Sequence, residues 1–169
     1  MADSQGRVIL LVGPSCAGKS TLAKAVQALS PEPWLVQSLD GLFAATPEAW
    51  GGSGEHRLDG FFYDWEGEPG ASDRRVACGA IGRGLLEGFH RAVAAYAGAG
   101  VNVVADDMLL DLAVLRDWAD TLAGTPTLLA SVTAPKAVLL RREAERQLHP
   151  TPGLGRIDIQ RSQSMTAAR

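Results

Sequence analysis

The chain has 169 residues, 46% hydrophobic and 21% charged, with a formal net charge of −3. That composition suits one globular domain with a buried core, and the negative balance gives no electrostatic case for nucleic acid or an anionic membrane as partner. The apolar runs fall short of the roughly 20 residues that cross a bilayer, "MADSQGR" has no secretion signal, and Cys16 and Cys78 make no disulfide framework. The expected location is the cytoplasm.

The first predicted element is a short apolar strand, Val8–Val12, which runs into Gly13-Pro14-Ser15-Cys16-Ala17-Gly18-Lys19-Ser20-Thr21. The spacing Gly-x-x-x-x-Gly-Lys-Ser between a strand and a helix is that of a phosphate-binding loop. Its glycines admit unusual φ values and bring backbone N–H groups close to phosphate oxygens. The start of the following helix, residues 21 to 29, adds partial positive charge. Lys19 is expected at the β- and γ-phosphates of ATP or GTP, and the Ser20 hydroxyl on Mg²⁺.

After the "SPEPW" turn, residues 34 to 39 read as a second strand ending in Asp40. Residues 41 to 74 are glycine-, acid- and aromatic-rich and read as a long irregular segment. Its length and its aromatics point to a functional insertion rather than disorder. Residues 75 to 97 read as one long helix, with Leu85, Phe89 and Val93 four apart. The glycines inside it suggest close packing against another backbone. Residues 101 to 105 give a third strand, followed by Asp106 and Asp107. Asp111 is a plausible N-cap for an amphipathic helix. Residues 127 to 132 give a fourth strand, and "PKAVLLRREAERQ" another helix with Pro135 in its first turn. "RIDIQRSQSMTAAR" is compatible with the start of one more helix.

Strands alternate with helices, so the expected fold is α/β: a parallel sheet with helices on both faces, of the P-loop kinase type. Ligands in such sheets bind at the carboxyl ends of the strands, where the phosphate loop, Asp40, Asp106 and Asp107 all fall. No guanine-reading Asn-Lys-x-Asp stretch is present, and the chain is short for a motor ATPase. A small kinase needs a base and a basic lid. Asp40 is the candidate base, its alternative role being an N-cap or turn former before Gly41. Arg141, Arg142 and Arg146, with Arg156 beyond the turn, are the lid candidates, over about 142 to 156, and Arg142 and Arg146 share a helix face; the alternative is a solvated face paired with Glu143 and Glu145. Asp106 is placed on Mg²⁺ and Asp107 on substrate, although alternation along a strand would let only the first face the site. Phe43, Phe61 and Tyr63, with Phe62, Trp65, Asp59 and Asp64, are expected to line an acceptor pocket, the alternative being a surface flap that packs on the core. The three histidines are scattered and suggest no metal site; His90 reads as structural or exposed.

The stretches "GPSCAGKSTL", "LSPEPWLVQSLDGLF", "GAGVNVVADDMLLD" and "VTAPKAVLLRREAER" together resemble chloramphenicol phosphotransferase and its relatives, over most of residues 7 to 147. The resemblance implies a small kinase that moves the ATP γ-phosphate to an antibiotic hydroxyl, as in antibiotic producers, with Asp40 at the position of the family's base. The family's lid pattern is Arg-Glu-x-x-Arg-Gly-Asp-Arg. Here Arg142-Glu143-Ala144-Glu145-Arg146-Gln147-Leu148-His149 lacks the last arginine, for which Arg156 is the candidate substitute. The family also continues into a fifth strand and a final helix, which this chain is expected to lack. That leaves an uncovered sheet flank and predicts a homodimer or a fold-back of residues 157 to 169. A metabolic kinase of the shikimate or gluconate type, or a nucleotide-binding module without chemistry, are the competing expectations.

Overall fold

The computed structural model describes residues 5–65 and 74–145. In chain order the elements are β1 (Val8–Val12), α1 (Lys19–Leu29), β2 (Trp34–Ser38), α2 (Leu39–Ala45), β3 (Phe61–Trp65), β4 (Arg74–Cys78), α3 (Ala80–Gly98), β5 (Asn102–Asp107), α4 (Leu112–Thr121), β6 (Thr127–Ser131) and α5 (Lys136–Glu145). Four strands form a parallel sheet in the order β2-β5-β1-β6. The central strands are buried on both faces, which is why β1 reads as an unbroken apolar run.

Alternation sorts the sheet's side chains between two layers. Leu11 and Val104 pack on Ala23 and Val26 of α1. Val8, Leu10, Val103 and Ala105 face the other way, onto Leu86, Phe89 and Val93 of α3 and Val114 and Trp118 of α4. Asp111 caps α4 as expected, its carboxylate accepting from Val114 N at 2.9 Å. Leu139 of α5 is buried against Ala17, which seats that helix on the phosphate loop.

The segment from 39 to 79 differs from the sequence expectation. Leu39, Leu42 and Phe43 recur at helical spacing, and the Ser38 hydroxyl accepts from Gly41 N at 3.1 Å. A capped helix α2 therefore begins where an irregular segment was expected, and a single 3₁₀ turn, Glu48–Trp50, follows. The expected helix over 75 to 97 is two elements. β4 pairs antiparallel with β3, Tyr63 opposite Val76, and the helix starts only after Gly79. The expected close packing holds at Gly82, where a Cβ would lie 2.3 Å from the Gly60 carbonyl oxygen. At Gly84 and Gly88 a Cβ would meet nothing.

Candidate active site

The phosphate loop leaves β1 through Gly13, whose φ of +147° is closed to most side chains. A Cβ there would stand 2.1 Å from the Val132 carbonyl oxygen, so the loop is shaped against the end of β6. Cys16 at φ +61° and Gly18 at φ +109° complete the curl before α1 starts at Lys19.

Lys19 is buried. Its Nζ donates to the carbonyls of Gly13 at 2.8 Å and Pro14 at 3.0 Å, and lies 3.7 Å from Asp106 Oδ1. The Ser20 hydroxyl donates to Asp106 Oδ2 at 2.7 Å. Burial raises the Asp106 carboxyl above the usual carboxylate range. Lys19 and Ser20 act against the rise, while the charges of Asp40 and Asp107 add to it. Asp40 stands in the first turn of α2 rather than at the end of a strand, and it lines the same cleft. Arg142 reaches the loop from α5, its Nη1 donating to the carbonyls of Cys16 at 3.1 Å and Ala17 at 3.2 Å. The cleft is about 740 Å³ and is lined by Ser15 to Leu22, Asp40, Asp106, Met108 and Arg142, among others. Leu22 and Met108 had no sequence signal beyond their nearness to the motif residues.

Asp107 does not reach this cleft. Strand β5 runs through both aspartates, so they point to opposite faces. Asp107 is fully buried among α3 and α4, accepting from Trp118 Nε1 at 2.6 Å and Leu109 N at 2.9 Å. Burial alone would push its carboxyl up; the His90 ring, the Trp118 indole and the Leu109 amide outweigh burial and lower it. His90 stacks on Trp118 and bonds Asp117 at 2.5 Å, a structural position inside the core. The expected substrate contact of Asp107 is thus corrected to a role in holding the turn after β5, where Leu109 has φ +53°.

Phe43, Phe61 and Tyr63 line a second cavity of about 240 Å³, separate from the cleft. Phe43 lies three residues beyond Asp40 on α2, so the helix borders both spaces. Arg146, Arg156 and most of the expected lid fall outside the described residues, as do the Trp65 side chain and residues 66 to 73.

Two oxygen donors side by side, Ser20 Oγ and Asp106 Oδ2, fit a hard cation such as Mg²⁺, which prefers oxygen and keeps several waters. The curled loop with Lys19 at its end fits a polyphosphate.

Two proteins of Mycobacterium tuberculosis, from strains CDC 1551 and H37Rv, carry the name "Putative O-phosphotransferase". Each is 31% identical over 150 residues, covering 86% of this chain and 66% of its own length. The chain thus spans just under two thirds of these relatives. A chain of the Pnkp1/Rnl/Hen1 RNA repair complex superposes with a TM-score of 0.66 at 16% identity, over 98% of this chain and 46% of that one. A sugar kinase from Janibacter sp. HTCC2649 does so with a TM-score of 0.53 at 19% identity, over 95% and 77%. At such identities the likeness is one of fold. The family model for chloramphenicol phosphotransferase-like protein matches residues 6–164, and the chain belongs to that family.

Proposed function

We propose that this chain is an O-phosphotransferase that moves the γ-phosphate of ATP or GTP to a hydroxyl of a small molecule, with an antibiotic as the acceptor and resistance as the outcome. The observation that carries the reading is one cleft that holds Lys19, the Ser20–Asp106 pair, Arg142 and, on another element, the Asp40 carboxylate.

The roles follow from position. The loop amides and Lys19 bind the β- and γ-phosphates and offset charge on the oxygens around the transferred group. Ser20 and Asp106 hold Mg²⁺, which when bound neutralises phosphate charge and fixes the polyphosphate. Asp40 accepts the proton of the acceptor hydroxyl as its oxygen bonds to the γ-phosphorus; the bond from that phosphorus to the bridging oxygen breaks, and ADP or GDP leaves. Arg142, whose guanidinium has further N–H groups beyond those on the loop, lies against the phosphates with Arg146 and Arg156 as the rest of a lid that excludes water. Water exclusion matters, because an open site would hydrolyse the nucleotide. All this belongs to a single kinase domain over residues 1 to 169, in the cytoplasm where the nucleotide is plentiful. A homodimer is part of the same reading: among the described residues β6 pairs only with β1, and Leu128 and Leu129 on it are exposed.

The test is label transfer from γ-labelled ATP or GTP to a panel of phenicol, aminoglycoside and nucleoside antibiotics. Labelled antibiotic supports the proposal. Label on shikimate- or gluconate-like alcohols alone would replace the antibiotic by a metabolic acceptor. Nucleotide binding without transfer to any alcohol would leave a binding module.

A further inference from the structure

The second cavity is walled by the rings of Phe43, Phe61, Phe62 and Tyr63, with the exposed Glu48 on its lining. Phe43 and Phe61 meet edge to face with centroids 4.8 Å apart, so that wall is fixed. Two glycines, Gly51 and Gly52, close one side with backbone alone, leaving room for a flat group. At about 240 Å³ the space is smaller than the roughly 300–1,000 Å³ of clefts that hold a whole drug-sized ligand. It suits one ring of a larger molecule.

Charge decides what that molecule carries. Among the described residues lining the cavity, Glu48 is the one charged group, and no described residue forms an ion pair or side-chain hydrogen bond with it. On the hairpin that supplies Phe61 to Tyr63 and Val76, the described cation Arg75 is held by Asp64 at 2.6 Å and 3.0 Å. The Glu48 carboxylate at the cavity's edge attracts a cation, and aromatic faces attract the same cation. Asp40 and Phe43 are one helical turn apart, about 4.5 Å along the axis, so α2 presents one residue to the cleft and the other to the cavity.

We infer that the acceptor is an amino alcohol with an aromatic or similarly flat apolar body: its hydroxyl at Asp40, its ring in this cavity, its protonated amine at Glu48. The inference rests on the phosphotransferase reading and adds the acceptor's class to it.

Three probes share a phenyl ring and a benzylic hydroxyl and differ in charge: 2-amino-1-phenylethanol, 1-phenyl-1,2-ethanediol and mandelate. Their binding to the full chain is measured by ligand-observed NMR without nucleotide. The amine should bind about fivefold or more tightly than the diol, and mandelate weakest. Glu48→Gln should bring the three within about twofold of one another. Tyr63→Ala, at a ring that is 40% exposed and so safe for the fold, should weaken all three. Absence of saturable amine binding, equal binding of the three, or a ranking that survives Glu48→Gln overturns the inference. ADP binding, measured separately by calorimetry, keeps the two readings apart. ADP binding without the charge ranking removes the amine site and spares the phosphotransferase. A charge ranking without ADP binding supports the amine site and removes the phosphotransferase.

Discussion

Lys19 is gripped by two carbonyls of its own loop and by a buried carboxylate, which leaves its ammonium little freedom. Lys19→Ala should weaken nucleotide binding and abolish phosphoryl transfer, by loss of the cation at the β- and γ-phosphates; calorimetry and label transfer measure the two effects. Asp40→Asn keeps the shape and removes the basicity that the proposed mechanism assigns to this residue. It should leave nucleotide affinity nearly intact and lower kcat by about 10²–10⁴-fold; a change confined to the acceptor's KM would make Asp40 a binding residue instead. Asp107→Asn is expected to act on stability. An amide in its place turns N–H groups toward the Trp118 or Leu109 donor, at a cost of about 1–3 kcal/mol in chemical denaturation. The site residues were unevenly legible. The loop's spacing placed Lys19 and Ser20, because each glycine and the lysine have fixed jobs around an anion. Strand alternation offered the right alternative for Asp106 and Asp107, that only the first faces the site, but it could not be preferred while the strand was expected to stop at residue 105. It runs on to Asp107, and the alternation that sends them to opposite faces runs with it. Nothing in the sequence marks Glu48 as lining a cavity, because the rings around it come from α2 and from a hairpin.

Helix α4 depends on its N-cap. Asp111 accepts from Val114 N and from Arg83 of α3, at 2.9 Å and 2.5 Å, so one carboxylate both starts the helix and ties it to its neighbour. Asp111→Ala should cost about 0.5–2 kcal/mol for the cap, with only about 0–1 kcal/mol more from the part-exposed Arg83 pair. The pH dependence has a definite sign. Burial raises the Asp111 carboxyl, but Arg83 and the backbone N–H groups of Val114 and Ala113 outweigh it, so folding lowers its pKa. Its contribution is therefore full above the ordinary carboxylate pKa of about 4 and is lost as pH falls through the lowered value. The stability gap between the parent chain and Asp111→Asn should narrow on acidification, as read from melting curves at stepped pH. Sequence periodicity found β1, α1, β5, α4 and β6, where one short window contains the whole signal. It misread 75 to 79 as helix because "RVAC" abuts a helical pattern, and what makes it a strand is its pairing with Phe61 to Trp65, the preceding strand of the hairpin and outside that window. Pairing of that kind leaves no local trace.

At the scale of the whole molecule, a ligand that binds only the folded chain must stabilise it. ATP or ADP at a hundred times its Kd should add about 2.7 kcal/mol, or about 5–10 °C in Tm for a chain of this size, and Lys19→Ala should lose most of that shift. A chain whose Tm ignores both nucleotides would count against the cleft as their site. The order of the strands has a consequence for synthesis. Val8 of β1 pairs with Val103 on one side and Thr127 on the other, and Gly13 is moulded to Val132. The ribosome delivers the N-terminus first, at about 5–20 residues per second. The phosphate loop thus emerges early and stays shapeless for seconds, without Asp106 for its serine or β6 for its first glycine. Nascent chains stalled before residue 132 should fail to bind nucleotide, and those stalled with α5 fully emerged should be the first to succeed.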